Sequence, residues 1–102
     1  MAESTRIRTI EDIRRLRPQI MELARQYRAR QISVFGSIVR GEMNADSDVD
    51  FLVEFEESAR LTDHILLLQD LRELLACDID LVDRRVLRKE FLDRVLAEVQ
   101  EL

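Results

Sequence analysis

A chain of 102 residues with 46% hydrophobic and 36% charged side chains has the size and composition of one globular domain, not of a disordered or fibrous segment. The net charge of -5 argues against broad nucleic-acid binding through a basic face, although it leaves room for a nucleotide held through metal ions. One cysteine excludes an internal disulfide and fits a reducing cytoplasm; no apolar run approaches the ~20 residues that span a bilayer, and MAESTRIRTI lacks the apolar segment of a signal peptide.

In chain order, residues 1–8 read as a short loose arm of a single domain covering 1–102. From Ile10 to Tyr27, the residues Ile13, Leu16, Ile20, Leu23, Ala24 and Tyr27 fall at helical spacing. Thr9 is placed to cap this segment, with Asp12 three residues on. Pro18 inside one continuous helix would cost about 3 kcal/mol, so a break is expected near Arg17, with Pro18 opening a second helix. Gln31 to Phe35 is β-prone and Gly36 ends it. Val49 to Phe55 is a nearly all-apolar second strand. Thr62 to Leu75 is a leucine-rich helix, with Leu61 and Leu66 placed for a hydrophobic staple. Ile79 to Val82 is a third strand. Val86 to about Glu101 is a last helix with Leu87, Phe91, Leu92, Val95, Leu96 and Val99 as its buried stripe. The fold class is α/β (α+β), a small mixed three-stranded sheet flanked by helices.

Connection lengths fix the strand directions. The first two strands are joined by roughly a dozen residues, which suits antiparallel neighbours, and the next two by a full helix, which suits a parallel pair. Side chains alternate along a strand, so Asp48 and Asp50 share a face. One end of the sheet therefore gathers Gly36, Ser37, Asp48, Asp50 and Asp80. Clustered carboxylates repel one another unless neutralised, and hard divalent cations do this best. Two such ions about 4 Å apart can clamp the attacking and leaving oxygens of a phosphoryl displacement. Beside them, Gly36-Ser37 opens a short helical turn whose N–H groups suit phosphate, and Arg40 can reach the same anion. A metal-bearing face beside a phosphate-binding turn suggests a metal-bound nucleoside triphosphate.

The stretch FGSIVRGEMNADSDVDFLV resembles the DNA polymerase β-like nucleotidyltransferase superfamily, whose signature is Gly-Ser, about ten residues, then Asp-x-Asp, with a third aspartate on a later strand. Here these are Gly36-Ser37, residues 38–47, Asp48-Val49-Asp50, and Asp80 in DIDLV. Strand alternation and the following Leu-Val favour Asp80 over Asp78. The stretch looks more specifically like the minimal nucleotidyltransferases, over roughly residues 9–100. That resemblance implies nucleotidyl transfer from a triphosphate, usually ATP, with two Mg²⁺ ions or Mn²⁺ in their place. Asp48 and Asp50 would ligate both metals. Asp80 would hold the catalytic metal and help deprotonate the acceptor hydroxyl. Gly36 and Ser37 would bind the β and γ phosphates. The resemblance also implies an antitoxin role: adenylylating, or simply binding, a HEPN-type RNase toxin. A small-molecule acceptor is the remaining alternative. The core elements use almost all of the 102 residues, so the acceptor site must come from a partner protein or a second copy.

Plainer readings stand beside these. The acids could be a solvated strand end with capping carboxylates, and Ser37 a mere helix cap. Arg40 could pair with Glu42 or Asp46. His64 should lie exposed in the first turn of its helix, Tyr27 should face the core, and nothing local activates Cys77. Arg84, Arg85, Arg88 and Lys89 read as a solvated helix start or as a partner or phosphate contact.

Overall fold

The structure is a computed structural model that describes residues 7–44 and 46–102. Of the expected arm, residues 1–6 lie outside that range. Ile7 does not belong to a loose arm: it is 8% exposed and packs into the core.

Two helices open the described chain, α1 (Ile10–Arg15) and α2 (Arg17–Gln26). Thr9 caps α1 through its hydroxyl, which accepts from the Asp12 N–H, while the Asp12 carboxylate accepts from the Thr9 N–H. Leu16 ends α1 and starts α2, and Pro18 sits in the first turn of α2, where its missing N–H removes no helical bond. Strand β1 (Ala29–Phe35) begins two residues before the expected Gln31, because an irregularity between Ala29 and Gln31 lets pairing continue past it. A one-turn helix, α3 (Ser37–Arg40), leads toward β2 (Val49–Phe55). Helix α4 (Leu61–Leu75), strand β3 (Ile79–Asp83), a 3₁₀ turn (Arg84–Val86), helix α5 (Lys89–Glu98) and a two-residue strand β4 (Gln100–Glu101) follow.

The sheet has four strands, not three, in the order β3-β2-β1-β4. β1 and β2 are antiparallel, and β2 and β3 are parallel. β4 pairs antiparallel with β1. A two-residue strand has no period to read, so the sequence folded it into the last helix. On one face, Ile32, Val34, Val49, Phe51, Val53, Phe55, Ile79 and Leu81 meet Ile13 and Ile20 of α1 and α2 and Leu67, Leu71 and Leu75 of α4. The opposite face carries Asp50 and the small buried Ser33 and Leu52.

Two expectations about packing fail. α4 starts at Leu61, leaving Leu61 75% and Leu66 43% exposed, so no staple forms. The Asp63 carboxylate instead accepts from the Arg60 N–H. The stripe of α5 is amphipathic but not buried: no α5 residue is buried, and Phe91 is 53% exposed. Leu96 and Val99 lie near Ser33 and Leu52 on the face opposite α2 and α4, with a cleft left between them. Tyr27 faces the core as expected, half-buried against it, and its hydroxyl donates to Asp70.

Candidate active site

Strand register brings the acids together. Phe35 lies opposite Asp50, and Asp50 lies beside Asp80 across the parallel pair. Asp48 sits at the mouth of β2, two residues before Asp50 and exposed. Asp78 is less suited to the third role: its carbonyl accepts from the Val49 N–H, and it lies before the first residue of β3.

Gly36 joins β1 to α3 with φ of +84°, a conformation that L side chains avoid. A methyl group there would lie 2.2 Å from Asp50 Oδ2. Glycine is therefore required twice, by the backbone and by the approach of the carboxylate. Burial pushes the Asp50 carboxyl up from 3.8 to about 6, and the nearby charges of Asp80, Asp48 and Glu98 push the same way against the opposing Arg40. Such a group favours a cation as its counter-charge.

Among the described residues, no three His, Cys, Asp or Glu side chains converge into a preformed metal cage. The donor chemistry nevertheless fits. Asp48, Asp50 and Asp80 offer only hard carboxylate oxygens, stand at one sheet end, and repel one another until a divalent cation draws them in.

The phosphate side of the expected site is adjacent. Among the described residues the Ser37 hydroxyl donates only to the Met43 sulfur, at 3.5 Å, a weak bond that a better acceptor would displace. Arg40 pairs with Glu42, as a plainer reading allowed, donating from Nε at 2.9 Å. It also donates from Nη1 to Glu98 Oε2 at 2.8 Å. Glu98 Oε1 accepts from the Gly36 N–H at 2.8 Å. Sequence reasoning missed Glu98. The available signal was its place four and seven residues after Arg94 and Phe91, an acid on the apolar stripe of α5. A cleft of about 570 Å³ lies between Met43, Ser47, Cys77 and Asp78; Asp48, Asp50 and Asp80 do not line it.

The remaining candidates make local contacts. Arg85 clasps the buried Asp83, whose carboxyl is pushed up by burial but held below the usual range by the Arg85 guanidinium and N–H. Arg84 pairs with Glu54 and Lys89 with Asp93. His64 is half-buried, not exposed, with its ring against Phe55 at 5.6 Å. Burial pushes the Cys77 thiol up, away from a nucleophilic thiolate.

A mixed sheet presenting an Asp-x-Asp strand beside a Gly-Ser turn, with a third acid on the parallel neighbour, defines a class of phosphoryl-transfer enzymes. The family model described as "Polymerase beta, Nucleotidyltransferase" matches residues 18–102, and the chain belongs to that family. It is 46% identical over 78 residues to the protein adenylyltransferase MntA of Thermococcus cleftensis, covering 76% of this chain and 79% of the relative. A solved minimal nucleotidyltransferase superposes with a TM-score of 0.84 at 38% identity, over 92% of this chain and 96% of the other. A toxin–antitoxin structure with AMP-PNP superposes with a TM-score of 0.70 at 27% identity, over 82% and 69% of the two chains.

Proposed function

We propose that this chain transfers AMP from ATP to a hydroxyl group of a partner protein, a HEPN-type toxin that it thereby neutralises. The observation that carries the reading is the register Phe35–Asp50–Asp80, which sets two carboxylates side by side next to the Gly36 turn. The name of the Thermococcus relative, a protein adenylyltransferase, and the AMP-PNP in the toxin–antitoxin structure support adenylyl as the group moved.

Asp48, Asp50 and Asp80 would hold two Mg²⁺ ions, or Mn²⁺. Bound there, the ions would neutralise the acids and the triphosphate and withdraw charge from the reacting phosphorus. The Gly36 and Ser37 N–H groups and the Arg40 guanidinium would hold the β and γ phosphates. Asp80 would accept the proton of the attacking hydroxyl as the new oxygen–phosphorus bond forms and pyrophosphate leaves. The acceptor would come from the partner, or from a second copy. Among the described residues no helix is long and apolar enough to cross a membrane. We place the reaction in the cytoplasm, where the single cysteine stays reduced and ATP is supplied.

A second reading, neutralisation by occlusion alone, draws on the exposed Phe91, Leu96 and Val86 as a protein-contact surface. One experiment separates the two. Asp48→Asn/Asp50→Asn is co-expressed with the partner, which is then weighed by mass spectrometry. Adenylyl transfer predicts that the added mass disappears, while melting in EDTA is unchanged or raised because mutual repulsion is gone. A structural capping role predicts a loss of about 0.5–2 kcal/mol with transfer kept. A double variant that still neutralises the toxin would favour occlusion.

A further inference from the structure

The turn expected to bind phosphate already carries an anion of the chain's own making. Glu98, at the end of α5, places one carboxylate oxygen 2.8 Å from the Gly36 nitrogen and the other 2.8 Å from Arg40 Nη1. The two donors are those a triphosphate oxygen pair would need. The Gly36 N–H has one proton to give, so the carboxylate and a phosphate compete for it; Arg40 has further N–H groups, but the like charges of carboxylate and phosphate beside it would repel at that distance.

The segment bearing Glu98 is weakly held. No residue of α5 is buried, and Phe91 and Leu96 remain 53% and 39% exposed. β4 pairs with β1 at two positions only, Gln100 with Val34 and Glu101 with Ser33. Side-chain contacts from this strand run to exposed groups, Arg14 to Gln100 and Gln31 to Glu101. Leu102 beyond it is partly buried against the core and its carbonyl accepts from Arg17 Nε at 2.6 Å; apart from this anchor, few buried contacts and exposed hydrogen bonds mark a segment that opens locally at low cost.

We propose that Glu98 is a built-in competitor for the triphosphate, and that the α5–β4 segment is a latch which must lift before Gly36 and Arg40 can hold phosphate. The inference rests on the nucleotide-binding reading of the same turn. It makes the closed chain a poor ATP binder whose apparent affinity is reduced by the fraction of time the latch is open. Anything that holds α5 away from the sheet would then activate the site.

The test measures Mg–ATP affinity by calorimetry for the wild type, Glu98→Gln, Glu98→Ala and, as a control for net charge, Glu57→Gln, an exposed residue in the turn after β2 and outside the latch. Both Glu98 variants should bind about 5- to 30-fold tighter, the range set by losing charge-assisted bonds from the closed state. Glu57→Gln should bind like the wild type. Hydrogen exchange gives a second readout: in the wild type, Mg–ATP should reduce amide protection across residues 99–102. If wild type binds and the Glu98 variants bind equally or more weakly, the latch is wrong while the nucleotide site stands; weaker binding would make Glu98 a ligand rather than a competitor. An equal gain from Glu57→Gln would also overturn it, reducing the effect to net charge. If neither wild type nor variants bind Mg–ATP, the nucleotide reading fails and the latch falls with it.

Discussion

Gly36 is the position where backbone and chemistry make the same demand. Its φ of +84° already disfavours a side chain, and any Cβ would meet Asp50 Oδ2 at 2.2 Å. Gly36→Ala should therefore destabilise the chain by about 1–3 kcal/mol and displace Asp50 from its place beside Asp80. Chemical denaturation should report the first effect, and loss of divalent-dependent ATP binding in calorimetry the second. A variant as stable as the wild type that still binds Mg–ATP would show that the turn tolerates a side chain. The Gly-Ser-to-Asp-x-Asp spacing was readable from sequence, but the reason glycine is needed was not, because the contact lies across two strands.

At the scale of elements, α4 and α5 look alike in sequence and differ in burial. Both carry leucine and other apolar residues at helical spacing. Leu67 and Leu71 of α4 are 0% exposed, whereas Phe91 of α5 is 53% exposed. Leu71→Ala should cost about 2–5 kcal/mol, as cavity formation in a packed core does. Phe91→Ser should cost less than about 1 kcal/mol in the isolated chain, because little area leaves the interior. Urea unfolding of the two variants checks the contrast; a large loss for Phe91→Ser would mean that α5 is part of the core. Periodicity announces an apolar face but does not say what covers it. The capping box of Thr9 and Asp12 and the break at Pro18 were legible because their causes lie within four residues.

For the molecule as a whole, the acid cluster links stability to pH. In the folded, metal-free chain the Asp50 carboxyl is raised from 3.8 to about 6, by burial first and then by Asp80 and Asp48. Between those values the native state holds a proton that the unfolded chain has lost, so this group makes stability fall as pH rises through that window. Asp50→Asn should remove that part of the slope. Urea unfolding in EDTA at several pH values from 4 to 7 measures it, and an unchanged slope in the variant would locate the titration elsewhere. Divalent cation should counteract the fall in the wild type by favouring the charged form.

The sequence by itself determined the local and the periodic features. Helix caps and the proline break depend on neighbours a few residues away. The limits of β2 depend on a dense apolar run, and the strand directions on connection length, which together sufficed to bring Gly36, Asp48, Asp50 and Asp80 to one end of the sheet. Tertiary structure alone decided three other things. The first is the pairing of β4 with β1, too short to carry a pattern. The second is the exposure of the α5 stripe, which depends on how closely α5 packs on the rest of the chain and not on its own spacing. The third is the seat of Glu98 on Gly36 and Arg40, a contact between residues 62 and 58 positions apart. Such a contact costs loop closure and is fixed by the packed sheet, not by any neighbour in the chain.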